Sequence, residues 1–276
     1  MIPASMREQA YRSYRHQLSE LSHRYGPNVH LMADSVLLTQ LARLSRPETL
    51  QPDITWLVRD LYESMVRAVI ANELPTTQTE VPTRMYASTP EAVWSGAVID
   101  PSTKVITVDI ARAGTLPSQV AFEALTRLLD PHSVRQDHLY MNRVTDAHGA
   151  VTGVNLSGSK IGGGLERAVV LFPDPMGATG GSMAQAVSIY KQLDGGPPQK
   201  VIAIHLIVTP EYIARVTKEH PELRVYAIRL DRGLSGADVL KTGLGDRWGE
   251  ERGLNERQYI VPGAGGLGEI LNNSYV

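Results

Sequence analysis

The 276-residue chain contains no cysteine, which excludes disulfides, thiolate metal centres and a cysteine nucleophile. It has no apolar run long enough to span a bilayer. Its first residues, MIPASMREQAYRSYRHQL, are charged and lack the apolar centre of a secretory signal. An excess of positive charge is missing too. The 27 Lys and Arg stand against 29 Asp and Glu, for a formal net charge of -2, so no basic surface for nucleic acid is implied. The eight histidines show no HxxxH or HExxH spacing, so the side chains offer no metal cage. What remains is 42% hydrophobic and 20% charged, the composition of a soluble globular protein with a sizeable core. A cytoplasmic enzyme or binding protein fits these limits.

Runs rich in Val and Ile recur along the chain: KVITVDI at 104–110, AVVLF at 168–172, VIAIHLIV at 201–208 and RVYAIRLD at 224–231. DHLYMN at 137–142 reads as a further strand, and helix-compatible segments lie between these runs, at 118–129, 183–193 and 210–220. The alternation predicts an α/β fold, a mostly parallel sheet with helices on both faces, over residues 76–276. A helical segment over 1–75 precedes it. Met6, Ala10, Tyr11, Tyr14, Leu18 and Leu21 recur near helical spacing and predict an amphipathic helix over 5–24, closed by Gly26-Pro27. A second helix is expected from Asp34 or Ser35 to before Pro47, and a third from Asp53 to Pro75. Residues 79–99 read as short extended pieces, and 143–166 as a polar, glycine-rich excursion.

The most informative stretch is AVVLFPDPMGATGGSMAQAV at 168–187. A buried strand breaks at Pro173-Asp174-Pro175, passes through small residues and leaves as a helix. Such a turn aims backbone N–H groups and the positive end of a helix at a phosphate. Asp174, at the strand's end, suits sugar hydroxyls, whose hydrogen bonds a carboxylate accepts. The stretch reads as a ribose-phosphate cradle, in which a side chain added at Gly180 is expected to intrude on the phosphate. Two patterns elsewhere fail. SGSKIGGG around Lys160 lacks the Walker order, and GAGGLG at 263–268 has too little chain after it for a dinucleotide fold.

DPMGATGGS at 174–182 resembles the phosphoribosyl pyrophosphate (PRPP) loop of the uracil phosphoribosyltransferases, close to DPMLATGGS, with Gly177 in place of Leu. ARAG at 111–114 is similar to that family's LRAG, and YIVPGAGG at 259–266 to its YI(V/I)PGLGD. The resemblance covers about residues 27–276 and leaves 1–26 outside it. It implies a type I phosphoribosyltransferase that converts uracil and PRPP to UMP and pyrophosphate, with Mg²⁺ arriving on PRPP, in a cytoplasmic homodimer with no nucleic-acid or membrane partner.

By the same resemblance, Asp174 and Arg112 are the candidate catalytic residues. Arg112, Arg143, Asp174, Pro175, Met176, Gly177, Ala178, Thr179, Gly180, Gly181 and Ser182 are the PRPP-binding set. Ile260, Gly265, Gly266 and Leu267 hold the base through backbone groups, and Lys160 corresponds to a lysine on a mobile arm. From the residues alone, Arg112 and Arg143 remain open between phosphate ligands and solvated turn residues. The chain departs from the family where Gly266 replaces an Asp associated with PRPP and its metal, and where Glu269 stands for another Asp. Residues 232–250 look inserted. Asp238, Asp246, Glu250, Glu251 and Glu269 are the acids able to replace the lost carboxylate. The alternatives are a catalytically inactive PRPP- or nucleotide-sensing homologue and a transferase for another base.

Overall fold

The computed structural model describes residues 8–145 and 151–275. Helix α1 (Ala10–Ser13) leads through an extended segment to strand β1 (Val29–Leu31). Helices α2 (Ser35–Leu44) and α3 (Asp53–Glu73) follow, then the strands β2 (Thr76–Pro82) and β3 (Val93–Ile99). Next come β4 (Val105–Ala111), α4 (Thr115–Thr126), β5 (Val134–Thr145) and β6 (Val151–Lys160). The chain continues through β7 (Val169–Pro173), β8 (Met176–Gly177), α5 (Gly181–Lys191), β9 (Lys200–Val208) and α6 (Pro210–Glu219). It closes with β10 (Arg224–Leu230) and the short α7 (Leu267–Ile270).

The main sheet runs β1-β10-β9-β7-β4-β5-β6, with β8 pairing on β9. Its neighbours are parallel except β5 and β6. Strand periodicity divides the core between its faces. Ile202, Ile204 and Leu206 of β9 join one apolar cluster with α2, α3 and α4, while Val201, Ala203 and Val208 join a second with α5 and α6. Helix α3 forms because Leu57, Leu61, Met65 and Val69 recur at helical spacing and are all buried. Helix α2 starts where predicted: the Asp34 carboxylate accepts from the N–H groups of Val36 and Leu37, at 2.7 and 3.1 Å.

Three expectations change. The helix predicted over 5–24 is confined, among the described residues, to Ala10–Ser13. Tyr11 and Tyr14 are exposed, so no apolar face is there to hold a longer helix. The chain after them satisfies its backbone against β1 instead, with Leu21 N donating to Leu31 O and Ala33 N to Ser19 O, both at 2.8 Å. The excursion at 143–166 includes strand β6, antiparallel to β5 with register shifts after Tyr140 and Val144. Its ladder is made by backbone, so the side-chain pattern does not announce it. The pieces at 79–99 pair as an antiparallel hairpin, β2 with β3, apart from the main sheet.

Candidate active site

Strands β4 and β7 lie side by side, and the loops leaving their carboxyl ends form one wall of a cleft of about 750 Å³. Open α/β sheets hold ligands at such carboxyl ends. Arg112 lines the cleft directly after β4, and Asp174 directly after β7. Met176 and Ala178 to Ser182 continue the wall into α5. Ile260, Gly265, Gly266 and Leu267 face the cleft from the C-terminal segment. Residues distant in sequence and predicted for one site are therefore brought together.

Some predicted residues sit elsewhere. Pro175 and Gly177 are buried and do not line the cleft. A Cβ at Gly177 would come within 2.9 Å of Val208 Cγ1 and 3.1 Å of the Tyr212 ring. The side-chain space at Gly177 is thus occupied by Val208 and Tyr212. Gly180 also differs from expectation. Its Cβ would point at helix α6, 3.1 Å from Val216 Cγ1, and its φ of +78° is one that glycine adopts freely. Lys160 is exposed and outside the cleft lining. The side chain of Arg143 lies outside the described residues.

The loop is fastened from below by β9 and the start of α6. Leu206 N and Ile207 N donate to Pro175 O at 3.0 and 3.1 Å, and Thr209 N donates to Gly177 O at 3.1 Å. The Thr209 hydroxyl donates to Ala178 O at 2.7 Å and accepts from Tyr212 N at 3.0 Å, capping α6. The loop's position is therefore inherited from an interior strand. Helix α5 starts at the cleft wall with no cap from Gly180, and the Thr179 hydroxyl accepts from Gly181 N at 3.4 Å, so its N-terminal dipole is directed at the cleft. The Asp174 carboxylate accepts from Met176 N at 3.2 Å.

His205 of β9 is buried and bonded at both ring nitrogens. It also supports the site. His205 Nδ1 lies 2.5 Å from Asp174 O, and Nε2 lies 2.5 Å from the Tyr212 hydroxyl. A carbonyl only accepts, so Nδ1 carries the proton and Nε2 accepts from Tyr212. Burial pushes the imidazole from its ordinary 6.5 down to about 4. The folded state then resists a proton that the unfolded chain takes up below pH 6.5. Stability should accordingly fall by about 1.4 kcal/mol per pH unit as pH drops from about 6.5 to 4. Urea unfolding of His205→Gln across this window should show its stability gap from the parent narrowing toward pH 4. A constant gap would mean that His205 does not titrate this way.

Arg112 donates through Nη1 to Ser274 Oγ at 2.7 Å, and a Cβ at Gly268 would lie 3.4 Å from Ala113 Cβ. The 265–274 segment thus rests on the loop after β4. Asp231, buried at the end of β10, accepts from Gly263 N at 2.8 Å and fixes the loop's other side.

The candidate replacement acids separate by place. Asp238 and Glu250 pair with Arg247. Asp246 pairs with Arg24 and accepts from Gly243 N. Glu251 is buried and binds the Tyr25 hydroxyl, Arg232 and Gly245 N. Of this set, Glu269 lines the cleft. Tyr140, Ser157, Gln258 and Tyr259 also line it and were missed. Of these, Tyr259 opens the 259–266 motif and Gln258 directly precedes it, which is the signal the sequence offers for both.

Fold and site together define the type I phosphoribosyltransferase class: a mostly parallel sheet with a glycine-rich strand-to-helix loop at its carboxyl edge. Residues 31–250 match the sequence profile of uracil phosphoribosyltransferase, and the chain belongs to that family. A uracil phosphoribosyltransferase from Variovorax paradoxus (strain S110) is 29% identical over 220 residues, covering 79% of this chain and 95% of that protein. One from Shouchella clausii (strain KSM-K16) is 34% identical over 112 residues, covering 41% and 43%. Among solved structures, the AQ2163 protein from Aquifex aeolicus superposes with a TM-score of 0.67 at 19% identity, over 88% of this chain and 97% of that one. No helix among the described residues is long and apolar enough to cross a membrane.

Proposed function

We propose that the chain transfers the phosphoribosyl group of PRPP to uracil, giving UMP and pyrophosphate. The observation that carries this reading is the convergence of Asp174, the 178–182 turn, Arg112 and the 265–267 loop on one cleft. Asp174 accepts hydrogen bonds from the ribose hydroxyls. The N–H groups at the start of α5 receive the 5′-phosphate, and Arg112 offsets charge on the pyrophosphate. Backbone groups of Ile260 and the 265–267 loop match the alternating carbonyl and N–H edge of the pyrimidine. Uracil N1 bonds to the anomeric carbon, the bond from that carbon to the pyrophosphate oxygen breaks, and the N1 proton is released. Catalysis rests on positioning and charge stabilisation.

Among the described residues, no three His, Asp or Glu side chains gather into a metal site. Two carboxylates line the cleft, Asp174 and Glu269. That sparse set suits Mg²⁺, which keeps phosphate and water ligands, and Asp174 and Glu269 are the residues to hold it. When bound, it neutralises charge on the leaving pyrophosphate.

Incubation with PRPP, Mg²⁺ and a panel of free bases should release pyrophosphate with uracil. Asp174→Asn should weaken PRPP binding in calorimetry by about 1.5–3 kcal/mol, the worth of charge-assisted hydrogen bonds. Saturable PRPP or UMP binding with no pyrophosphate from any base would replace this reading with a sensor. Turnover with another base alone would replace the substrate.

A further inference from the structure

We infer that Glu269 is the residue through which the cleft reads the divalent cation carried by the phosphoribosyl donor, and that Gly266 is glycine to leave room for it. A Cβ at Gly266 would lie 2.7 Å from Glu269 Oε2, 3.2 Å from its Cδ and 3.8 Å from its Cγ. The Glu269 carboxylate therefore stands where a side chain at 266 would project. Gly266 has a φ of -82°, which any residue adopts, so the backbone does not call for glycine, and a side chain at 266 would make the Glu269 carboxylate swing away from where it stands.

Charge identifies what this carboxylate meets. Asp238, Asp246, Glu250 and Glu251 are each tied to an arginine. The Glu269 carboxylate makes no hydrogen bond or ion pair among the described residues, and it faces a cleft whose other wall is a turn suited to a phosphate. A bare carboxylate repels a polyphosphate, and the repulsion grows as water is displaced. Its place there becomes favourable when a cation lies between the two. The ion stays bound chiefly to phosphate oxygens and water, and Glu269 contacts it or its water.

This inference rests on the proposed reaction, and the experiment separates the two. PRPP and UMP binding are measured by calorimetry with and without Mg²⁺, for the parent protein, Glu269→Gln and the control Asp246→Asn. The parent and the control should bind PRPP more tightly with Mg²⁺. Glu269→Gln should lose about tenfold or more of that gain and keep its affinity for UMP, which carries no pyrophosphate and reports an intact fold. Shortening to Glu269→Asp should retain part of the gain. An undiminished Mg²⁺ gain in Glu269→Gln would overturn the inference. So would an equal loss of UMP and PRPP affinity, which would make Glu269 a base contact. A parent protein that binds no PRPP under either condition would instead remove the proposed reaction.

Discussion

Glu251→Ala is expected to cost about 3–5 kcal/mol of folding stability, the usual loss when one partner of a buried ion pair is removed. The carboxylate is 1% exposed and is shared by the Tyr25 hydroxyl at 2.5 Å, Gly245 N at 3.0 Å and the Arg232 guanidinium. Arg232 also donates to Thr242 O at 2.7 Å. Truncation strands a nearly buried guanidinium and a tyrosine hydroxyl together, and it releases the turn at 242–245. Urea unfolding reads the loss. Turnover per folded molecule should remain, because Glu251 is absent from the cleft lining. A variant of parental stability with abolished turnover would return Glu251 to the chemistry.

Gly180→Val should abolish UMP and PRPP binding and destabilise the fold by about 2–5 kcal/mol. About 1–2 kcal/mol comes from forcing a branched residue into the left-handed region, and about 1–3 kcal/mol from overpacking against α6. The added carbons would meet Val216 Cγ1 at 3.1 Å and Tyr212 O at 3.3 Å. The N-terminus of α5 then leaves the position from which its N–H groups reach a phosphate. Calorimetry with UMP, beside a denaturation curve, measures both effects. Parental UMP affinity would show that the turn has no part in phosphate binding.

Much of this architecture is legible in the sequence where burial imposes a pattern. The interior strands β4, β7, β9 and β10 are buried almost throughout and read as continuous Val- and Ile-rich runs. The strand, small-residue turn and helix from β7 to α5 are legible because they are contiguous. Elements without a burial pattern are not. Strand β1 is three residues long, and β6 sits at the sheet's edge beside β5. At 5–24 helical spacing is present, but Tyr11 and Tyr14 stay exposed. Periodicity states what a helix would bury, and packing decides whether it is buried. The partition of acids is tertiary too: Glu250 and Glu251 are adjacent in sequence, one exposed on Arg247 and the other buried on Arg232.

The Tyr212 ring in the side-chain space of Gly177 has a historical consequence. A leucine at 177, as the resemblance gives the family's loop, would press first on Val208 Cγ1, 2.9 Å from its Cβ, and on the Tyr212 ring at 3.1 Å, so it fits only if these neighbours shift or are smaller. A lineage moving between the two arrangements passes through an overfilled or an underfilled intermediate, each less stable than either end. A larger residue at 177 therefore calls for an accommodating change at 208 or 212. A loop transplanted from a relative with its leucine arrives without the partner that makes room for it.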